Sequence, residues 1–188
     1  MVVIDGSKAL RKAVRAMFGK RVLVQRCQEH KKRNVLDALP KGKRESVKRA
    51  LNEAYRSPKY ERAKRLLENL ARRLTPEHPG AAAALREGLD ETLTVKSLGL
   101  SGALERSLST TNLIENLIGQ VRTLSARVKR WRGGQIILRW SAAGVLEAEH
   151  SFRRLKGYAN MRVLIAALRK HDADVTGEST PDSAVAAA

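Results

Sequence analysis

Val2-Val3-Ile4-Asp5-Gly6 opens the chain with a β-branched run that ends in a carboxylate and a glycine. That is the pattern of a buried strand delivering Asp5 at its C-terminal end. Ser7 can cap a helix reaching Phe18, with apolar residues at Leu10, Val14 and Met17/Phe18. Gly19 closes it, and Val22-Leu23-Val24 makes a second strand. A strand–helix–strand unit normally joins parallel strands. Two strands do not make a stable parallel sheet alone, so a larger sheet is expected, with Met1 a late start within a longer fold.

Beyond Arg26-Cys27-Gln28-Glu29-His30 the chain changes character, and from about Lys31 to Leu108 the signals are almost all helical. Val35, Leu36 and Leu39 precede a Pro40-Lys41-Gly42 break; Val47, Ala50, Leu51 and Ala54 mark a second helix. Ser57-Pro58 reads as cap and first position of a third, which carries Leu66, Leu67, Leu70 and Leu74. Thr75 to Gly80 reads as a loop, followed by a short Ala-rich helix and another through Leu89, Leu93 and Leu98. The fold class expected is α/β, mostly helical.

Ser109-Thr110-Thr111-Asn112-Leu113-Ile114-Glu115 begins another amphipathic helix, with Leu117, Ile118 and Val121 continuing its apolar stripe. Glu115 and Arg122 stand two helical turns apart, roughly 10 Å along the axis, on nearly one face. A carboxylate and a cation so placed suit a metal beside a phosphate backbone. The local pattern alone favours a plainer reading, with Asn112 as N-cap and Glu115 as its capping-box partner. Next comes a basic turn, Arg127-Val128-Lys129-Arg130-Trp131-Arg132-Gly133-Gly134, then a long helix from Gln135 to Leu155 with Trp140 in its apolar stripe. Gly157 breaks it, Met161 to Leu168 reads as a last short helix, and the composition from Asp172 onward reads as a disordered tail.

Lys and Arg total 37 against 19 Asp and Glu, a formal charge of +18, which points to a polyanionic partner, nucleic acid before membrane. Aromatic residues are only 4%, so the core is expected to be built from Leu, Val and Ala. Cys27 is the only cysteine, which rules out a disulfide within the chain and suits a reducing compartment. No long apolar run marks a membrane span and no signal-peptide pattern opens the chain. The expected location is cytoplasmic and nucleoid-associated. One Cys and one His in Cys27-x-x-His30 are too few for a structural zinc site, so zinc is set aside on the sequence.

Asp5-Gly6 at a strand end, Cys27-x-x-His30 after the next strand, a helical insertion, then Ser109-Thr-Thr-Asn-Leu-Ile-Glu115 with Arg122 resemble, in that order, the Mutator-like bacterial insertion-sequence transposases. Lys129-Arg130-Trp131 and Leu138-Arg139-Trp140 look like that family too, and the likeness runs from about Val2 to about Gly157. The resemblance implies a ribonuclease H-like catalytic domain whose Asp–Asp–Glu triad binds two divalent ions, Mg²⁺ or Mn²⁺. It also implies DNA, as element ends and target, as partner and a homo-oligomer as the working form. By position Asp5 resembles the second Asp and Glu115 the Glu, and these two are the expected metal ligands. Cys27 and His30 resemble part of the active-site wall; a buried thiol and a helix-start histidine are the equal alternative.

On this reading residues 1–30 are a partial ribonuclease H-like core, 31–108 an all-α insertion, 109–171 the catalytic Glu helix with the basic turn and C-terminal helices, and 172–188 a disordered tail. Arg122, Lys129, Arg130, Arg132 and the run Lys31-Lys32-Arg33 are the expected phosphate contacts. Trp131 is expected to pack beside its glycine turn, and Trp140 to lie in the core. The family's first Asp lies on a strand upstream of the segments matched. The expected function is therefore DNA strand cleavage and transfer by a transposase, with this chain an N-terminally truncated form that binds metal weakly and does not cut alone. The alternatives are a non-catalytic DNA-binding remnant that inhibits the full transposase, and a basic helical RNA-associated protein.

Overall fold

The computed structural model describes residues 1–19, 21–131 and 133–177. Strand β1 (Val2–Ile4), helix α1 (Lys8–Phe18) and strand β2 (Val24–Arg26) form the opening unit, and the strands pair in parallel with Val2 opposite Val24 and Ile4 opposite Arg26. Ser7 caps α1 by accepting from the Leu10 amide at 3.3 Å. Ile4, Val14 and Val24 bury one small core between sheet and helix, helped by Val2 and Val22.

The second strand spans Val24–Arg26, shifted two residues along from the apolar run Val22-Leu23-Val24, and Gln25 and Arg26 are buried in it. Among the described residues the sheet has two strands, β1 and β2. Side chains of β2 instead tie down the segment 87–95. The Gln25 amide donates to Thr92 O at 2.9 Å and accepts from the Val95 amide at 2.8 Å. Arg26 donates to Glu87 O at 2.9 Å and to Gly6 O at 2.7 Å. Gly88 is needed there, since a Cβ would sit 2.4 Å from an Arg26 guanidinium nitrogen.

Helices α2 (Gln28–Asp37), α3 (Lys41–Arg56), α4 (Tyr60–Leu74) and α5 (Pro79–Arg86) pack into one cluster. Leu51, Leu67, Leu85 and Leu93 are fully buried in it, each contributing ~1.5–3 kcal/mol relative to exposure. The third helix begins at Tyr60 rather than Pro58, because the Ser57 amide closes α3 on Glu53 O and Ala54 O and the Ser57 carbonyl accepts from Lys96 at 2.6 Å. A 3₁₀ turn (Asp90–Thr92) leads to the short α6 (Thr94–Ser97) and to α7 (Gly102–Leu108).

A separate cluster gathers Val95, Leu100 and Leu104 with Leu164 of α10 (Met161–Thr176). That last helix runs eight residues past Leu168, so the segment from Asp172 to Thr176, read as the start of a tail, is helical. Residues 178–188 of the expected tail lie outside the described residues. Helices α8 (Asn112–Ser125) and α9 (Gly133–Glu149) pack on each other, with Gly144 against Val121. Among the described residues no helix is long and apolar enough to cross a membrane.

Candidate functional site

The end of β2 and the start of α2 bring the first donors together. The Cys27 amide extends the strand ladder by donating to Ile4 O at 2.7 Å, and its carbonyl starts α2 by accepting from the Lys31 amide at 3.0 Å. His30, three residues on, lies in the first turn of α2. The Gln28 amide donates to Ser109 O at 2.9 Å, which pins the approach to α8 against the same helix start.

Thr111, not Asn112, is the residue before α8, and it is buried. Its amide donates to Cys27 Sγ at 3.4 Å, and its Oγ1 lies 3.4 Å from His30 Nδ1. The same hydroxyl donates to the Glu115 carboxylate one turn along, while Glu115 N closes the turn on Thr111 O at 3.0 Å. His30 Nδ1 stands 3.6 Å from Glu115 Oε1. Donor atoms of Cys27, His30 and Glu115 thus all lie within 4.8 Å of one another. Cys27 is 1% exposed, whereas the Glu115 side chain is 48% exposed, so the cluster has a buried floor and an open mouth.

Asp5 follows Ile4 at the end of β1 and is exposed. Its Oδ1 accepts from the Ser7 amide at 2.8 Å, the turn contact a carboxylate makes before a helix. The Asp5 carboxylate is not one of the donors in the mutual 4.8 Å group.

The expected phosphate contacts divide. Arg122, Lys129 and Arg130 are exposed, and Arg132 lies outside the described residues. Lys31 is turned inward, donating to Ala84 O at 2.6 Å and Glu87 O at 2.5 Å at the C-terminal end of α5. Burial, aided by the Arg26 charge, pushes its ammonium down to about 8 against the opposing pull of Glu87 and Glu91. Lys31 therefore braces the fold. Lys32 is held by Glu29 at 2.6 Å and Asn52 at 3.0 Å, and Arg33 is exposed. Trp131, in the turn before α9, and Trp140 on α9, expected to be packed and core respectively, are 43% and 42% exposed.

Thr111 is the residue that sequence reasoning passed over. Its signal was the hydroxyl one helical turn before Glu115, a spacing that lets an N-terminal threonine touch the acid. What no local pattern carried was its contact with Cys27 and His30, across more than eighty residues of chain.

The sequence model of the transposases of the Mutator family matches residues 1–154 of this chain. The transposase for insertion sequence element IST2 of Acidithiobacillus ferrooxidans is 31% identical over 105 residues, which cover 56% of this chain and 35% of that protein. The transposase for insertion sequence element IS6120 of Mycolicibacterium smegmatis is 30% identical over 135 residues, covering 72% of this chain and 41% of that protein. The matched segments thus span about two fifths or less of the length of these curated relatives. No solved structure matches the chain.

Proposed function

This chain belongs to the Mutator family of transposases, and from that premise we propose that it supplies part of an Asp–Asp–Glu centre for cutting and rejoining DNA at insertion-sequence ends. The observation that carries the reading is the meeting of Glu115 with the Cys27–His30 segment at the end of the sheet. The acid that opens α8 is thereby set beside the strand ends, in a mouth reachable from solvent.

Asp5 and Glu115 are the acids proposed to hold divalent ions. Mg²⁺ is commonly held by one or two carboxylates, with waters and substrate phosphates completing its shell. Asp5 is exposed and the Glu115 side chain about half exposed, which fits that mode. Such ions, when bound, activate the attacking oxygen and steady the leaving one. The chain's own part is to orient and to bind. Thr111 fixes the Glu115 carboxylate. Arg122, two turns along α8, and Lys129 and Arg130 beyond it neutralise phosphates without reading bases. Action on paired element ends as a homo-oligomer, at the nucleoid, completes the proposal.

The experiment is a titration of duplex DNA with the purified chain at several salt concentrations, for the native sequence and for Arg122→Ala, Lys129→Ala and Arg130→Ala combined. Binding is expected to weaken steeply with salt, and the triple variant to lower the log–log slope by about 0.9 for each phosphate contact removed. Salt-independent binding, or an unchanged slope, overturns this interface. Mg²⁺-dependent nicking that survives Glu115→Gln overturns the role given to that residue.

A further inference from the structure

We propose that Cys27, His30 and Glu115 form a binding site for a single thiophilic divalent ion, of which Zn²⁺ best matches the donors and Co²⁺ is the spectroscopic probe. The proposal stands on these three side chains, whether or not Glu115 also serves strand cleavage.

The argument begins with donor chemistry. A thiolate, an imidazole and a carboxylate suit a borderline ion such as Zn²⁺, whereas Mg²⁺ takes an all-oxygen shell. Geometry agrees. Ligand bonds of about 2.0–2.3 Å in a tetrahedron place neighbouring donor atoms about 3.4–3.6 Å apart. His30 Nδ1 and Glu115 Oε1 are already 3.6 Å apart, and all three donors lie within 4.8 Å of one another. Rotations of a few tenths of an ångström to about an ångström close the set around one ion. Three protein ligands leave a fourth position open, as at zinc sites that keep a water.

The surroundings also act on the ligands. The Thr111 amide donates to Cys27 Sγ, its hydroxyl donates to Glu115, and the same hydroxyl lies 3.4 Å from His30 Nδ1. One buried residue therefore hydrogen-bonds two of the donors, the kind of outer contact that orients a metal's ligands, and stands beside the third. Cys27 sits on a rigid strand–helix junction, so the site is held by elements rather than by loose loops. Binding forms a sulfur–metal bond, and the displaced thiol proton passes to buffer.

Sequence spacing missed this because Cys27 and His30 alone are too few, and the third ligand is far along the chain. A consequence follows for the proposed reaction. A zinc ion on Glu115 engages that carboxylate, so Zn²⁺ should antagonise any Mg²⁺ step that uses it.

The test is titration of the reduced, purified chain with Co²⁺ and Zn²⁺, read by absorption and by calorimetry. One ion per chain is expected, with a thiolate-to-cobalt charge-transfer band and visible bands of tetrahedral intensity. Cys27→Ser should abolish the charge-transfer band, and Glu115→Gln and His30→Gln should each weaken Zn²⁺ by more than the ~10–100-fold typical of losing an outer-shell partner. Thr111→Val, which keeps the shape, should cost within that range. Circular dichroism checks that each variant is folded. Asp5→Asn should retain Zn²⁺, which separates this site from the one proposed for strand cleavage. Cobalt bound without a charge-transfer band, or Zn²⁺ affinity unmoved in both Cys27→Ser and Glu115→Gln, overturns the proposal.

Discussion

Lys96 and Glu105 meet inside the molecule, Nζ to Oε1 at 2.5 Å, with their side chains 2% and 11% exposed. Lys96 also donates to Ser57 O at 2.6 Å, so one ammonium joins α6, α7 and the end of α3. Removing one partner of such a pair strands a charge, at a cost of ~3–5 kcal/mol. Lys96→Met is expected to lower stability by that amount in urea unfolding, and adding Glu105→Leu to recover part of it. Lys31 makes a second statement, about pH. Below pH 8 its amine is charged in folded and unfolded chains alike, and the burial cost is fully present. Between about 8 and 10 the folded chain loses a proton that the unfolded chain keeps, so this contribution makes stability rise with pH. Above 10 the buried Tyr55 phenol, whose pKa burial raises, keeps its proton while the unfolded chain loses it, and that contribution falls. Urea midpoints across pH 7–11 should show the rise, and Lys31→Met should flatten it.

At the scale of elements, Gly157 decides how the chain leaves α9. It has φ +82°, and a Cβ there would lie 2.4 Å from Leu104 N in the backbone of α7. The left-handed backbone alone costs an L residue ~1–2 kcal/mol, and the collision adds to it. Gly157→Ala should therefore lower the melting temperature and loosen the packing of α10 on α7, read as faster amide exchange in both helices. The α8–α9 pair shows the opposite economy. Its sequence is apolar enough for a core helix, yet α8 has no buried residue, and Leu113, Ile114, Leu138 and Leu146 are 59%, 49%, 62% and 61% exposed. A helix pattern states that a face is to be covered; it does not state by what.

At the scale of the whole molecule, two surfaces compete. A charge of +18 keeps chains apart and draws polyanions, while α8 and α9 leave Leu113, Ile114, Leu138 and Leu146 about half or more exposed, apolar groups that favour contact with another surface. The chain by itself is expected to self-associate as its concentration rises. Leu138→Glu with Leu146→Glu should delay that association in light scattering without lowering the melting temperature, since neither side chain is buried. A loss of stability in the double variant would show that these residues support the fold.

The apolar periods of α3 and α4 were readable because these helices bury their stripes against each other, close in sequence, whereas in α1 only Val14 is buried and Leu10, Met17 and Phe18 stay exposed. The strand–helix–strand opening was readable because its parts are likewise close in sequence. The true span of β2 was not, since Gln25 and Arg26 are buried only by virtue of carbonyls and amides supplied by residues 87–95. Asp5, Cys27, His30 and Glu115 were all visible as candidates, and their order along the chain pointed to the family. Which of them meet was decided in three dimensions, when Ser109 and Thr111 docked on the start of α2 and carried Glu115 to His30. Local sequence sets periodicity and caps because those depend on neighbours within a turn or two. A site built from residues 27 and 115 depends on packing between segments, and only the folded chain sets that distance.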